Sequence, residues 1–236
     1  MVGIAALDVR NGRKIELMEE RVLGLSLLRA SIPVPAAARE GRLRRRTARG
    51  AAQLIRAGVR RVLTAPDFPC WPELEAAGLR PVDPAPFCQA IAGPLALAGL
   101  RRAGILRTRA TVALAGPRVT RPLFAAAELL CPRVRHLVVD VPGEGEELAA
   151  WLREEYGTAV LAPEAAAPDI ALHFGPGGGE KGGMSLRLYG PAPELAGLCP
   201  APAEGTLPEG LAPLPLLALL WECGRLGPGQ IQIFTP

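Results

Sequence analysis

Lysine is nearly absent from this 236-residue sequence: Lys14 and Lys181 are the only two, so arginine carries almost all of the positive charge. With abundant alanine, 27 glycines and 25 prolines, this bias looks like the imprint of a GC-rich, bacterial-type genome. It weakens any inference from arginine content to nucleic acid. Aromatic residues make up only 4% of the chain, which leaves few of the stacking platforms that single-strand binders use. His136 and His173 lie far apart with no Cys or Glu at ligand spacing, which argues against a metal site. The cysteines Cys70, Cys88, Cys131, Cys199 and Cys223 are odd in number and form no C-x-x-C pair, so neither a zinc knuckle nor a disulfide framework is indicated. There is no G-x-S-x-G elbow, and Ser26, Ser31 and Ser185 sit in strand or proline contexts, so acyl transfer has no candidate nucleophile. Residues 1–9 lack the basic head and apolar core of a secretory signal, and the longest apolar run, 211–221, is broken by prolines and too short for a bilayer. A cytoplasmic protein with no membrane segment is expected.

Hydrophobic residues at 49% against 21% charged are enough to offset the ordering entropy of a globular fold. The length suits two domains of about 100 residues each. The organising stretch is 110–162, where TVALAG, an apolar helix, HLVVDV, a second helix and TAVLA alternate as strand, helix, strand, helix, strand. The strand at 111–115 is apolar on both faces, as a covered parallel strand must be. Gly116 ends it, Thr120 is placed to cap the following helix, Pro122 suits the first turn, and Leu123, Ala126, Ala127 and Leu130 form an inward face. The strand at 136–141 carries Asp140 roughly 20 to 25 residues after the turn, where dinucleotide-binding folds keep the acid that takes the ribose hydroxyls.

The turn itself departs from G-x-G-x-x-G. It reads Gly116-Pro117-Arg118-Val119-Thr120-Arg121, so proline removes one N–H and arginine stands where backbone should approach a pyrophosphate. Arg118 and Arg121 either bind an anion at the helix N-terminus by charge or are solvated arginines.

Elsewhere, 2–9 reads as a strand, Asn11-Gly12 as a hairpin signal, 14–18 as its antiparallel return and 22–28 as a further apolar strand. Residues 36–58 are helical, with Leu43, Thr47, Ala51, Leu54 and Ile55 on one face and Arg42, Arg45, Arg46, Arg49 and Arg56 on the remainder. That basic face is either a phosphate, nucleic-acid or acidic-partner surface or a solvated one, and no recognition motif accompanies it. Strands at 61–65 and 79–82, a short helix at 71–77 and a longer one at 85–103 kinked at Gly93-Pro94 complete a first α/β domain, 1–104. Strand-end residues Asp67, Phe68, Cys70 and Asp83 lie where open sheets bind ligands, with Asp83 also placed to cap the helix after Pro84. In the second domain, 105–236, further strands at 169–174 and 184–189 flank a glycine-rich loop, 175–183, beside which His173 and Lys181 are the ionisable groups. After a proline-rich excursion at 192–213 come a helix at 214–226 and a terminal strand at 231–234. That strand either completes the same sheet or offers an edge to a second subunit, the route to a homodimer.

The overall plan, carried by Gly116 and Asp140 at dinucleotide-binding positions and by the order of elements, resembles two-domain enzymes of the shikimate dehydrogenase and glutamyl-tRNA reductase type. The resemblance implies a Rossmann-like C-terminal half with a mostly parallel sheet, NAD(P) as cofactor and oxidoreductase activity. Shikimate dehydrogenases rely on a lysine and aspartate pair in the first domain, where the only lysine here, Lys14, sits beside a hairpin turn. The expected function is therefore a non-catalytic ligand-binding or regulatory relative of dinucleotide-binding proteins, whose ligand is a small molecule or protein. The alternative is an NAD(P)-dependent oxidoreductase with an atypical phosphate-binding turn. The expected ligand-binding residues are Gly116, Arg118, Thr120, Arg121, Asp140 and His173, with none catalytic and none binding metal.

Overall fold

The computed structural model describes residues 4–10, 14–33, 40–177 and 183–235. It separates into two compact units, Met1–Val82 with Glu204–Gly227, and Asp83–Ala203 with Pro228–Pro236. Each is an α/β unit with its own sheet.

The first unit contains β1 (Ile4–Arg10), β2 (Glu16–Val22), β3 (Leu25–Pro33), α1 (Glu40–Arg56), β4 (Arg61–Leu63), α2 (Trp71–Ala76) and β5 (Arg80–Pro81). The sheet order is β2-β3-β1-β4-β5, with β2 antiparallel at one edge and the other pairings parallel. The tight hairpin therefore joins β2 to β3, and β1 pairs with β3 in parallel, which corrects the expected pairing of 14–18 with the first strand. Its turn is Leu23-Gly24, with φ of 44° and 79°. Two positive φ values suit the twist of a two-residue hairpin, and a leucine there hid the turn from sequence reading. Asn11-Gly12 lies outside the described residues. The charged ELMEERV segment of β2 is suited to an edge, where its outer row of backbone groups meets solvent. The helix α1 buries Thr47, Gly50, Ala51 and Leu54, in the register read from its sequence. Gly50 lets it come down on β3: a Cβ there would sit 3.2 Å from Ile32 Cδ1.

The second unit contains α3 (Ala85–Ala90), α4 (Ala92–Arg102), β6 (Thr111–Ala115), α5 (Arg121–Leu130), β7 (His136–Asp140), α6 (Glu144–Tyr156), β8 (Val160–Leu161), β9 (Ile170–His173), β10 (Met184–Arg187), β11 (Cys199–Pro202) and β12 (Ile231–Phe234). Its main sheet is wholly parallel in the order β10-β9-β6-β7-β8. Counted within the unit this is 3-2-1-4-5 read from the other edge, the strand order of a Rossmann sheet, with the direction of winding reversing between β6 and β9. The helical segment before β6 breaks at Ile91 and not at Gly93-Pro94. Gly93 serves packing instead, since a Cβ there would lie 2.8 Å from Leu129 Cδ2 of α5. The terminal strand β12 does not complete the main sheet, as had been one expectation; it pairs antiparallel with β11 in a separate two-stranded ribbon.

The break between units falls after Val82, not at 104/105, because α3 and α4 pack with α5 and the main sheet of the second unit: Gly99 faces Ile170 Cδ1 at what would be 3.0 Å from a Cβ. The chain then returns to the first unit as α7 (Pro213–Glu222). There the Ala212 N–H donates to the Thr64 carbonyl at 2.8 Å, and Arg61 pairs with Glu222 at 2.5 Å. Among the described residues no helix is long and apolar enough to cross a membrane.

Candidate functional site

In an open parallel sheet the ligand crevice lies beyond the carboxyl ends of the strands where winding reverses, because the connections from the two strands leave in opposite directions and part there. Here that place is bounded by Ala115-Gly116 after β6 and His173-Phe174 after β9, paired in register as Ala115 with His173. The strand ends are tied together. The Phe174 N–H donates to the Ala115 carbonyl at 2.8 Å, the Gly116 N–H to the Asp140 carbonyl at 3.1 Å, and Gln89 Nε2 of α3 to the Phe174 carbonyl at 3.2 Å.

Across this position the protein packs against itself. A Cβ on Gly175 would lie 2.6 Å from Pro117 Cδ, so the proline ring rests on the bare backbone of the residue after Phe174. Gly116 has no positive φ, and a Cβ on it would meet Leu123 and Phe174 only at ordinary contact distance. Its glycine is therefore not demanded by the backbone, and close approach of a diphosphate is the role it would keep in a dinucleotide site.

A helix N-terminus leaves backbone N–H groups without helical partners, and the turn between β6 and α5 leads into one. Two of its positions are prolines with no N–H. Thr120 caps the helix as expected, its hydroxyl accepting from the Leu123 N–H at 3.4 Å. The Val119 N–H donates to Glu144 Oε2 at 2.6 Å. Glu144 opens α6, directly after the strand that ends in Asp140, so the neighbouring helix supplies its own carboxylate to this turn. A short bond to an ionised acceptor is of the stronger kind. The acidic first turn of α6 reads in sequence as a dipole effect alone; the additional role of Glu144 lies in a contact across 25 residues. The signal that could have disclosed it is an acid at the first position of the helix after the second strand, opposite a turn that keeps only the first of its three glycines.

The sequence-selected residues do not all converge. Arg118 and Arg121 are both exposed, and neither forms an ion pair with a carboxylate among the described residues. Asp140 is half-buried at the end of β7. His173 is buried, 7% exposed, and its Nε2 has no hydrogen-bond partner among the described residues. Lys181 and most of the glycine loop lie outside the described residues. In the first unit, Phe68 is buried edge-on against Trp71 at 6.3 Å, and Asp67 takes a positive φ of 56°. Cys70 is 1% exposed, and burial, outweighing the opposing Thr47 side chain, pushes its thiol pKa up; such a thiol is a poor nucleophile. Asp83 caps α3, its Oδ1 accepting from the Ala85 N–H at 2.9 Å, as expected for that residue. Among the described residues no group of three or more His, Cys, Asp or Glu is placed to hold a metal ion.

No family model matches this chain, and no curated protein matches it by sequence. Among solved structures it is similar to the L-tryptophan dehydrogenase from Nostoc punctiforme, at 15% identity and a TM-score of 0.31. That alignment covers 73% of this chain and 56% of the enzyme, so the chain spans little more than half of that protein's length.

Proposed function

We propose that this is a cytoplasmic, non-catalytic ligand-binding or regulatory protein, whose Rossmann-ordered unit has closed its dinucleotide site with its own side chains. The observation that carries this reading is the Glu144 carboxylate on the Val119 N–H, beside a proline seated on Gly175. A diphosphate entering the turn would meet a fixed negative charge and find one fewer donor, with the close backbone approach filled by the Pro117 ring. Five free cysteines, three of them buried, fit the reducing compartment expected from the sequence.

Thermal denaturation in the presence of NAD, NADP, FAD and ATP tests it. A ligand held at about 100 times its dissociation constant adds on the order of 2.7 kcal/mol to stability, a readily measured rise in Tm. The expected outcome is no rise with any of the four. A saturable rise with a nicotinamide cofactor would overturn the proposal.

One observation favours the second reading, an NAD(P)-dependent oxidoreductase with an atypical turn. His173 has a buried nitrogen without a hydrogen-bond partner among the described residues, at the end of β9 and in register with Ala115. Buried polar atoms are usually satisfied, and an orphan at a strand end is where a ligand's donor or acceptor would be expected. Under that reading the rise with cofactor would be lost in His173→Phe.

A further inference from the structure

The carboxyl end of β3 holds a second place where a sheet of this kind can receive a ligand, and there the charge is of the opposite kind. A pocket of about 360 Å³ is lined by Lys14, Ile15, Pro33, Arg46, Arg49 and Gln53. Three elements bring them together. The antiparallel register of β2 and β3 pairs Glu16 with Ser31, which sets Lys14 level with Pro33. The close seat of Gly50 on Ile32 lays α1 along the same strand, and Arg46, Arg49 and Gln53, spaced three and four apart on that helix, line the pocket at the end of the strand. Arg46 donates to the Pro33 carbonyl, which fixes its guanidinium at the pocket while leaving other N–H groups to point outward.

None of the three cations is paired with a carboxylate among the described residues. The nearest acids in sequence are already engaged, Glu16 by Arg10 and Glu40 by Arg44. Three unneutralised charges converging on one concavity repel one another, and an anion relieves that repulsion. A carboxylate offers one charge and two oxygens. A phosphate monoester offers close to two charges and three acceptor oxygens, enough to accept from Lys14, Arg46 and Arg49 together with the Gln53 amide. The volume exceeds what inorganic phosphate fills and lies in the range of small-ligand pockets, which leaves room for a carbon skeleton on the ester.

We propose that Lys14, Arg46, Arg49 and Gln53 form a binding site for a small phosphate-bearing metabolite at the carboxyl end of β3. The site lies within the first unit and does not depend on the closure of the turn in the second. A small molecule fits better than a nucleic-acid backbone because the three charges face one pocket; a backbone would engage the open stripe of Arg42, Arg45 and Arg56 equally.

Calorimetric titration of the full chain with inorganic pyrophosphate at low ionic strength tests this, since pyrophosphate carries the recognised group without an assumed skeleton. One saturable site is expected. The double variant K14Q/R49Q should weaken it at least tenfold, R49K should retain most of the affinity, and R56Q, on the same helix outside the pocket, should change it less than twofold. Lys14 and Arg49 are exposed, so the double variant keeps the fold. Absence of saturable binding overturns the proposal, as does an R56Q loss equal to that of K14Q/R49Q. Tighter binding of a single-stranded oligonucleotide that R42Q and R56Q both weaken would assign the surface to nucleic acid instead. Binding that survives K14Q/R49Q but is lost in R118Q would place the anion in the second unit and overturn the closed-turn reading as well.

Discussion

Near the carboxyl end of β6 the Val119 N–H donates to a carboxylate of the chain itself, whereas at the carboxyl end of β3 three cations line one pocket and none pairs with a carboxylate among the described residues. The first lies where winding reverses in a wholly parallel sheet, and the second beside the antiparallel edge pair β2 and β3, where α1 lies along the sheet. What separates them is the side chains that the flanking segments bring. At the first, Pro117 packs on Gly175 and Glu144 accepts from the Val119 N–H, while a lysine before β2 and arginines on α1 line the second. A sheet topology thus specifies where a ligand could sit, and the side chains at the strand ends decide whether the place is kept or filled.

The broadest way to sharpen that contrast is to show that both sheets are equally well built, so that the difference is confined to their ends. Leu7 in β1 and Leu114 in β6 are each fully buried at the centre of their sheets. Leu7→Ala and Leu114→Ala should each cost about 2 to 5 kcal/mol in urea unfolding, the transfer term plus the cavity left behind. A cost below about 1 kcal/mol for either would mean that its sheet is loosely packed.

Next in size is the contact that fills the crevice. Gly175→Ala places a methyl group 2.6 Å from Pro117 Cδ, and neither a proline ring nor the strand end can move aside easily. A loss of about 1 to 3 kcal/mol is expected from overpacking. Pro117→Ala in the same chain should recover much of it, because residues in contact are not additive. Equal losses with and without the proline would separate the two residues and reopen the crevice.

The buried thiols compare the units in another way. Burial raises Cys70 in the first unit and takes Cys88 of α3 in the second up to about 12, from an ordinary 9.0. A folded-state pKa above the unfolded one means that the native state holds its proton longer. The contribution of Cys88 to stability is full below pH 9 and falls as pH rises from there toward 12. The difference in urea midpoint between the parent chain and Cys88→Ala should therefore shrink between pH 8 and pH 10.5. A difference that stays constant would mean that the Cys88 thiol titrates normally.

Much of this architecture was legible in the sequence because its signals are local. Leu123, Ala126, Ala127 and Leu130 repeat at helical spacing, Thr120 stands in capping position, and TVALA and HLVVD are short apolar runs bounded by turn residues; all appear as read. A mostly parallel sheet was expected from that alternation, and the second unit has one. The misplacements are of a different kind. Leu23-Gly24 turns a hairpin with a leucine at positive φ, α7 returns to an earlier sheet through long-range contacts, and β12 pairs with β11. Each is decided by packing between residues distant in sequence, where local propensity carries little weight. The same holds at the candidate sites. Gly116 and Asp140 were placed by spacing, but the bond from Val119 to Glu144 and the meeting of Lys14 with Arg49 depend on how elements are laid side by side.

The smallest expected effect bears most directly on the closed turn. Glu144 and Val119 meet near the surface, so their bond is screened and its loss costs little. Glu144→Ala should lower stability by about 0.5 to 1.5 kcal/mol, and Glu144→Gln, which still accepts from the N–H without the charge, by less. The informative measurement is the response of the two variants to sulfate. If the carboxylate stands where an anion would otherwise sit, Glu144→Ala frees the Val119 N–H beside the partial positive charge at the start of α5, and sulfate should restore part of the lost stability. The parent chain carries the same surface arginines but a filled turn, so subtracting its response to sulfate isolates the turn. Equal restoration in both chains would show that Glu144 is a helix-end acid with no claim on the site.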